Sequence, residues 1–230
     1  MDRVKTYAQN IREIQKARNR IKESFEKLIR MAINGNYETR IDALEALDDS
    51  QLDLEPQVRR AMRDRSDLVR ATAVEIAGGH DLTSLSDELI RGLISDQSSL
   101  VRSASAVALA EMHIIKARNV LKKQLTVCEE EERFPIYYSL AKLGYNQYLK
   151  PLLKALTHDS YLIRFTTAHL LPGVVSEQNV KLVRKSISGA LKRESTVLVR
   201  SSLQEALKEI DSMPSKVIGS RRIRPLTPTT

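Results

Sequence analysis

The chain has 230 residues, of which 42% are apolar and 29% charged, with one cysteine, no tryptophan and a formal charge of +8. That apolar content is enough for a packed core, while a lone Cys128 excludes an intramolecular disulfide and no apolar run approaches the roughly 18 residues of a membrane span. The opening "MDRVKTYAQNIREI" lacks the apolar core of a signal peptide, so a reducing, cytoplasmic setting is expected and no membrane partner.

Gly and Pro contribute only 8 and 7 residues, and Leu, Ala, Ile, Arg, Lys and Glu dominate, which predicts an all-helical protein. At the N-terminus, Val4, Tyr7, Ile11, Ile14, Arg18, Ile21, Phe25, Leu28 and Ala32 alternate steps of three and four. This stretch reads as a capping helix over residues 1–20 followed by the first repeat helix, with a break near Arg18–Arg20. The other reading is one continuous helix that dimerises or docks on a partner.

Beyond it one pattern recurs, (Val/Ile)-Arg followed by apolar residues three, four and seven places later. It appears as "TRIDALEAL" at Arg40, "VRATAVEIA" at Arg70, "VRSASAVAL" at Arg102, "ERFPIYYSL" at Arg133, "IRFTTAHLL" at Arg164 and "VRSSLQEAL" at Arg200. Between these lie amphipathic segments such as "LSDELIRGLI" and "NVKLVRKSISGAL", each ending near a polar turn. Each unit is therefore two helices and a short turn. Such a unit cannot bury its own apolar face, so its neighbours must stack on it.

The fourth unit is atypical. "EEEE", Glu129–Glu132, stands where other units have an apolar Leu-Val pair, and Phe134, Tyr137, Tyr138, Tyr145, Tyr148, Tyr161 and Phe165 crowd one window. One and five places after the arginine, a residue is expected to point away from the first helices, which puts Phe134, Tyr138, Phe165 and His169 outward. Core packing and a binding patch are both open for them, and the acids are either a favourable helix start or the rim of a binding site. The last stretch, residues 214–230, loses helical periodicity, gains Pro, Ser and Thr, and carries Arg221, Arg222 and Arg224; a basic tail is expected.

The arginine spacing, Asp64 and Asp96 six places before Arg70 and Arg102, "LVR" at Leu68, Leu100 and Leu198, and the small residues that follow resemble the HEAT-like repeat family over about Ile21 to Ile210. The resemblance implies a right-handed α-α superhelix, or solenoid, of about six hairpins occupying residues 21–213. It further implies that Arg40, Arg70, Arg102, Arg133, Arg164 and Arg200 form a structural ladder of ion pairs with turn acids of adjacent repeats. The family includes scaffolds, transport factors, inhibitors, chromophore lyase subunits and a DNA glycosylase group, so the fold does not carry a function with it.

Charge narrows the choice. Residues 1–33 and 215–230 hold all of the excess of Lys and Arg, leaving residues 34–214 with 24 basic and 25 acidic residues. A near-neutral body favours a protein-binding groove over a nucleic-acid track. His80, His113, His158 and His169 lack the spacing of metal ligands on one helix face, and no Gly-rich phosphate loop or GxSxG motif is present. The expectation is a non-catalytic adaptor, scaffold subunit or inhibitor/immunity-type partner. It needs no cofactor and acts through repeats four and five on another protein, whose surface the acidic run suggests is basic. Nucleic-acid binding through the basic ends is the alternative, and a subunit resembling the chromophore lyases the third. Oligomeric state is left open.

Overall fold

The computed structural model describes residues 2–48 and 54–213, with residues 2–12, 14 and 18 described as backbone alone. All regular structure among them is helical. Two compact units divide the chain, Met1–Ala77 and Gly78–Thr230.

The first unit holds α1 (Asp2–Asn34), α2 (Tyr37–Asp48), α3 (Glu55–Ala61) and most of α4 (Asp67–Gly79), with α1 packed on α2 and α3. The break expected near Arg18–Arg20 does not occur: α1 is one helix of 33 residues. No Gly or Pro interrupts residues 2–34, so nothing in that stretch competes with helix propagation. In α2 the apolar residues three, four and seven places after Arg40, namely Ala43, Leu44 and Leu47, are buried.

The second unit holds α5 (Ser86–Ser95), α6 (Ser99–Glu111), α7 (Ala117–Gln124), α8 (Glu130–Lys142), α9 (Leu149–Lys154), α10 (Tyr161–Leu170), α11 (Val180–Leu191) and α12 (Val197–Ser212). Helices pair as α5 with α6, α7 with α8 and α11 with α12, and the second helices pack in series, α6 on α8, α8 on α10 and α10 on α12. The repeat pattern supplies the packing face: Val101, Ala106 and Leu109 of α6 are at most 2% exposed, and Val199 and Leu203 of α12 at most 1%. A core continues from Tyr138 and Leu152 through Leu171 and Val183 to Leu203 and Ile210.

Turns end the helices by backbone geometry. Gly144, at φ 106°, closes α8, its amide bonding the Ala141 carbonyl and the next amide that of Leu140. His113 takes the equivalent left-handed place after α6, at φ 53°. Its role is that of a turn residue.

Candidate binding surface at the fourth and fifth repeats

All six repeat arginines are the fourth residue of their helix, on α2, α4, α6, α8, α10 and α12. At least three of them, among the described residues, hold an acid of the following repeat. In the first unit Arg40 Nη2 donates to Asp64 Oδ1 at 2.7 Å. In the second, Arg102 grips Glu132 through Nε and Nη2 at 2.6 and 3.0 Å, and Arg164 grips Glu194 the same way at 2.6 and 3.0 Å. These two are fork-on-fork pairs, the geometry that favours arginine over lysine. Asp64 is one methylene shorter and reaches only Nη2, leaving the buried Arg40 Nε without a hydrogen-bond partner among the described residues.

The turn acid does two jobs. Asp64 also accepts the Ser66 amide, Asp96 the Ser98 amide and Glu194 the Thr196 amide, at 2.8, 2.9 and 2.9 Å. Each thus fixes the turn before a helix. The arginine of that helix in turn donates Nη1 to the turn's carbonyls: Arg70 to Asp64, Arg102 to Asp96, Arg164 to His158 and Arg200 to Glu194. The side-chain hydrogen bonds from Arg164 hold the Glu194 carboxyl down at about 2, against an ordinary 4.5, despite burial.

The fourth repeat does this differently. Val127 stands where the turn acid belongs, six places before Arg133. Glu132 replaces that acid from inside the helix: it forms a capping box with Glu129, accepting the Glu129 amide at 3.3 Å while taking both hydrogen bonds from Arg102. It occupies the position that Val69, Val101, Ile163 and Val199 fill elsewhere, and is likewise buried. Glu132 is therefore a structural acid, not the rim residue expected from the sequence; pairing is what makes its burial tolerable.

The fifth repeat then breaks the ladder. Six places before Arg164 stands His158, whose Nδ1 accepts the Ser160 amide at 3.0 Å. It does the first job of the turn acid and cannot do the second. Its Nε2 faces Glu130 Oε1 at 3.5 Å. Arg133 consequently makes no ion pair among the described residues; it is exposed and lies near the Cys128 thiol. Burial and the Glu132 charge push that half-buried thiol up. Cys128 lies in the turn after α7.

Aromatic packing replaces the missing pair. Phe134 is only 9% exposed, set against Ala155 and Ile163, with its edge to the His158 ring at 5.5 Å between centroids. Tyr137 meets Phe134 at 6.0 Å and stacks on Tyr148 at 5.9 Å. Tyr138 is 2% exposed; its hydroxyl donates to Glu111 and lies over Gly173, where a β-carbon would overlap it. The outward orientation expected for Phe134 and Tyr138 is thus corrected. A bare Gly173 in the turn Leu171–Val174 lets that turn close over Tyr138, and the ring at Phe134 fills the joint between repeats. Phe165 is half-buried against the same core, and His169 is exposed. Glu129, Glu130 and Glu131 are exposed, as a rim would be.

Beside this joint lies a cavity of about 420 Å³, walled by Phe134, Tyr137, Pro151 and Ala155 and rimmed by Arg133, Lys154, Glu130 and Asp159. Along the same unit an exposed aliphatic position recurs two places before the arginine: Leu100, Leu162 and Leu198 are 43%, 55% and 51% exposed, joined by Tyr161 and Val197, while α8 carries Glu131 there. In the sequence these leucines open "LVR" at Leu100 and Leu198 and "LIR" at Leu162, a repeat marker whose first residue faces outward. The first unit has its own cavity of about 960 Å³, opening beside Arg40, Arg60, Arg63 and Arg65. No three His, Cys, Asp or Glu side chains gather as metal ligands among the described residues, and no described helix is long and apolar enough to cross a membrane. Arg221, Arg222 and Arg224 lie outside the described residues.

No protein-family model and no curated protein matches the chain. Among solved structures it is similar to an engineered protein (20% identity, 82% of this chain and 97% of that one, TM-score 0.42). It is also similar to the complex of CpcE and CpcF of phycocyanin lyase from Nostoc sp. PCC7120 (13%, 81% and 94%, TM-score 0.45). A third is human deoxyhypusine hydroxylase in complex with glycerol (15%, 86% and 99%, TM-score 0.45). All three scores lie below 0.5, so nothing of those proteins' activities passes to this chain.

Proposed function

We propose that this chain is a non-catalytic, HEAT-like protein-binding module, an adaptor or scaffold subunit or an inhibitor of the protein it holds. The observation that carries this reading is the exposed aliphatic row Leu100, Leu162 and Leu198, flanked by Tyr161 and Val197. Large apolar side chains repeating at one helix position are not needed by the core, which uses the next residue, Val101, Ile163 and Val199, instead. Such a row gains free energy when another protein covers it.

Three of the repeat arginines are held in ion pairs to acids of the chain itself, which leaves a nucleic-acid backbone fewer free cations than the sequence implies. The exposed Glu129, Glu130 and Glu131 favour a partner face that is basic overall and raise its rate of encounter. Co-purification from the native cell identifies the partner. Leu162→Ser with Leu198→Ser should then abolish capture while the melting temperature holds; capture by the double variant at the level of the parent chain refutes the reading.

A further inference from the structure

We infer that Arg133 and the cavity beside it form an anchor site for a single acidic side chain presented by the partner polypeptide; this rests on the reading of the chain as a protein-binding module. Arg133 stands at the same helix position as Arg40, Arg102 and Arg164, each of which holds a carboxylate of the following repeat. The following repeat here puts His158 at the ladder position, where it caps its turn through Nδ1, and its neighbour Asp159 on the cavity rim makes no ion pair with Arg133 among the described residues. A guanidinium in a position that elsewhere grips an acid therefore opens onto a cavity of about 420 Å³. The cavity continues the joint, so an acid entering from outside meets Arg133 where a neighbouring repeat would otherwise have supplied one.

The lining selects the ligand. Phe134, Tyr137 and Pro151 give an apolar wall for the methylene stem of a glutamate, and Lys154 adds a second cation. Glu130 and Asp159 stand on the same rim, so the charges of the four groups cancel. That balance accepts one carboxylate between Arg133 and Lys154 and repels a phosphate chain, whose several charges would also meet the two acids. A glutamate flanked by lysines satisfies all four rim charges, in keeping with the basic partner face that Glu129 and Glu131 favour.

The test follows the side-chain Nε–H NMR signal of Arg133 and the backbone amide signals of Arg133, Thr157 and Asp159 in the full chain. The probe is a blocked five-residue peptide with a central glutamate between two lysines; its glutamine counterpart, inorganic phosphate and a short oligothymidylate are the comparison arms. Saturable shifts with the glutamate peptide, at least about tenfold weaker with the glutamine peptide, are expected. Equal response to the two peptides, or stronger binding of phosphate or the oligonucleotide, overturns the proposal. Two variants separate binding from folding. Arg133→Gln should lose the Thr157 and Asp159 shifts with an unchanged melting temperature, because Arg133 supports no packing. His158→Asp should restore the intrachain pair: an aspartate there keeps the Ser160 cap and faces Arg133, raising the melting temperature and suppressing the peptide response. Retention of that response in His158→Asp refutes the anchor. Neither result bears on Leu162 and Leu198, whose substitution reads the wider surface separately.

Discussion

Arg164 and Glu194, thirty residues apart, meet in two hydrogen bonds, Nε to Oε2 at 2.6 Å and Nη2 to Oε1 at 3.0 Å, with side chains 15% and 4% exposed. The same carboxylate accepts the Thr196 amide. One acid thus joins two repeats and starts the second helix of the later one.

Its protonation should therefore cost stability. The folded value of about 2 lies below the ordinary 4.5, so this contribution is complete above about pH 4.5 and is lost as pH falls toward 2. Melting temperatures should drop steeply over that window, and Glu194→Gln, weaker by about 2–3 kcal/mol at neutral pH, should show a shallower slope. Parallel slopes for the two proteins would place the acid sensitivity elsewhere.

Arg102→Ala and Glu132→Ala should each destabilise the chain by about 2–4 kcal/mol, since each strands a partly buried charge. Urea unfolding of both single variants and the double variant measures their coupling. The double variant should lose clearly less than the sum.

Phe134→Ala and Tyr138→Ala should unfold the chain more readily, by about 3–5 kcal/mol, as expected for aromatics truncated inside a joint. Gly173→Ala should resemble Tyr138→Ala, because a methyl group there displaces the ring. Stability of either tyrosine-site variant equal to the parent by calorimetry would return Tyr138 to the surface.

His113→Gly should raise stability by up to about 1 kcal/mol, because His113 holds a left-handed backbone at φ 53° that glycine adopts without strain. His113→Val should lower it. Thermal melts of the two variants give the sign directly.

The repeat and its arginines were legible because burial imposes a 3.6-residue period and the register survives thirty-residue steps. At least three of the pairs implied by the family resemblance are present among the described residues, with Asp64, Glu132 and Glu194 as the acids. Glu194 could have been found, since it lies six places before Arg200 as Asp64 does before Arg70. Glu132 could not be found by that rule, because it acts from within the helix. A run of four glutamates gives no local sign that one is buried and the others are not. The aromatics misled for a related reason: position on the helix told which way Phe134 and Tyr138 leave the backbone, but not that Gly173, thirty-five residues past Tyr138, makes room for the next turn to cover it.

His158 also changes how the second unit should come apart. Its charged joints, Arg102 to Glu132 and Arg164 to Glu194, weaken in concentrated salt, and the second also weakens as acid protonates Glu194, whereas the joint around Phe134, Tyr137 and Tyr148 rests on ring contacts that neither condition weakens directly. Concentrated salt, and at the α12 end acid approaching pH 2, should therefore loosen the ends first and leave α8 and α9 together as the last ordered pair, so the residue that interrupts the electrostatic series also decides where a residual folded nucleus survives.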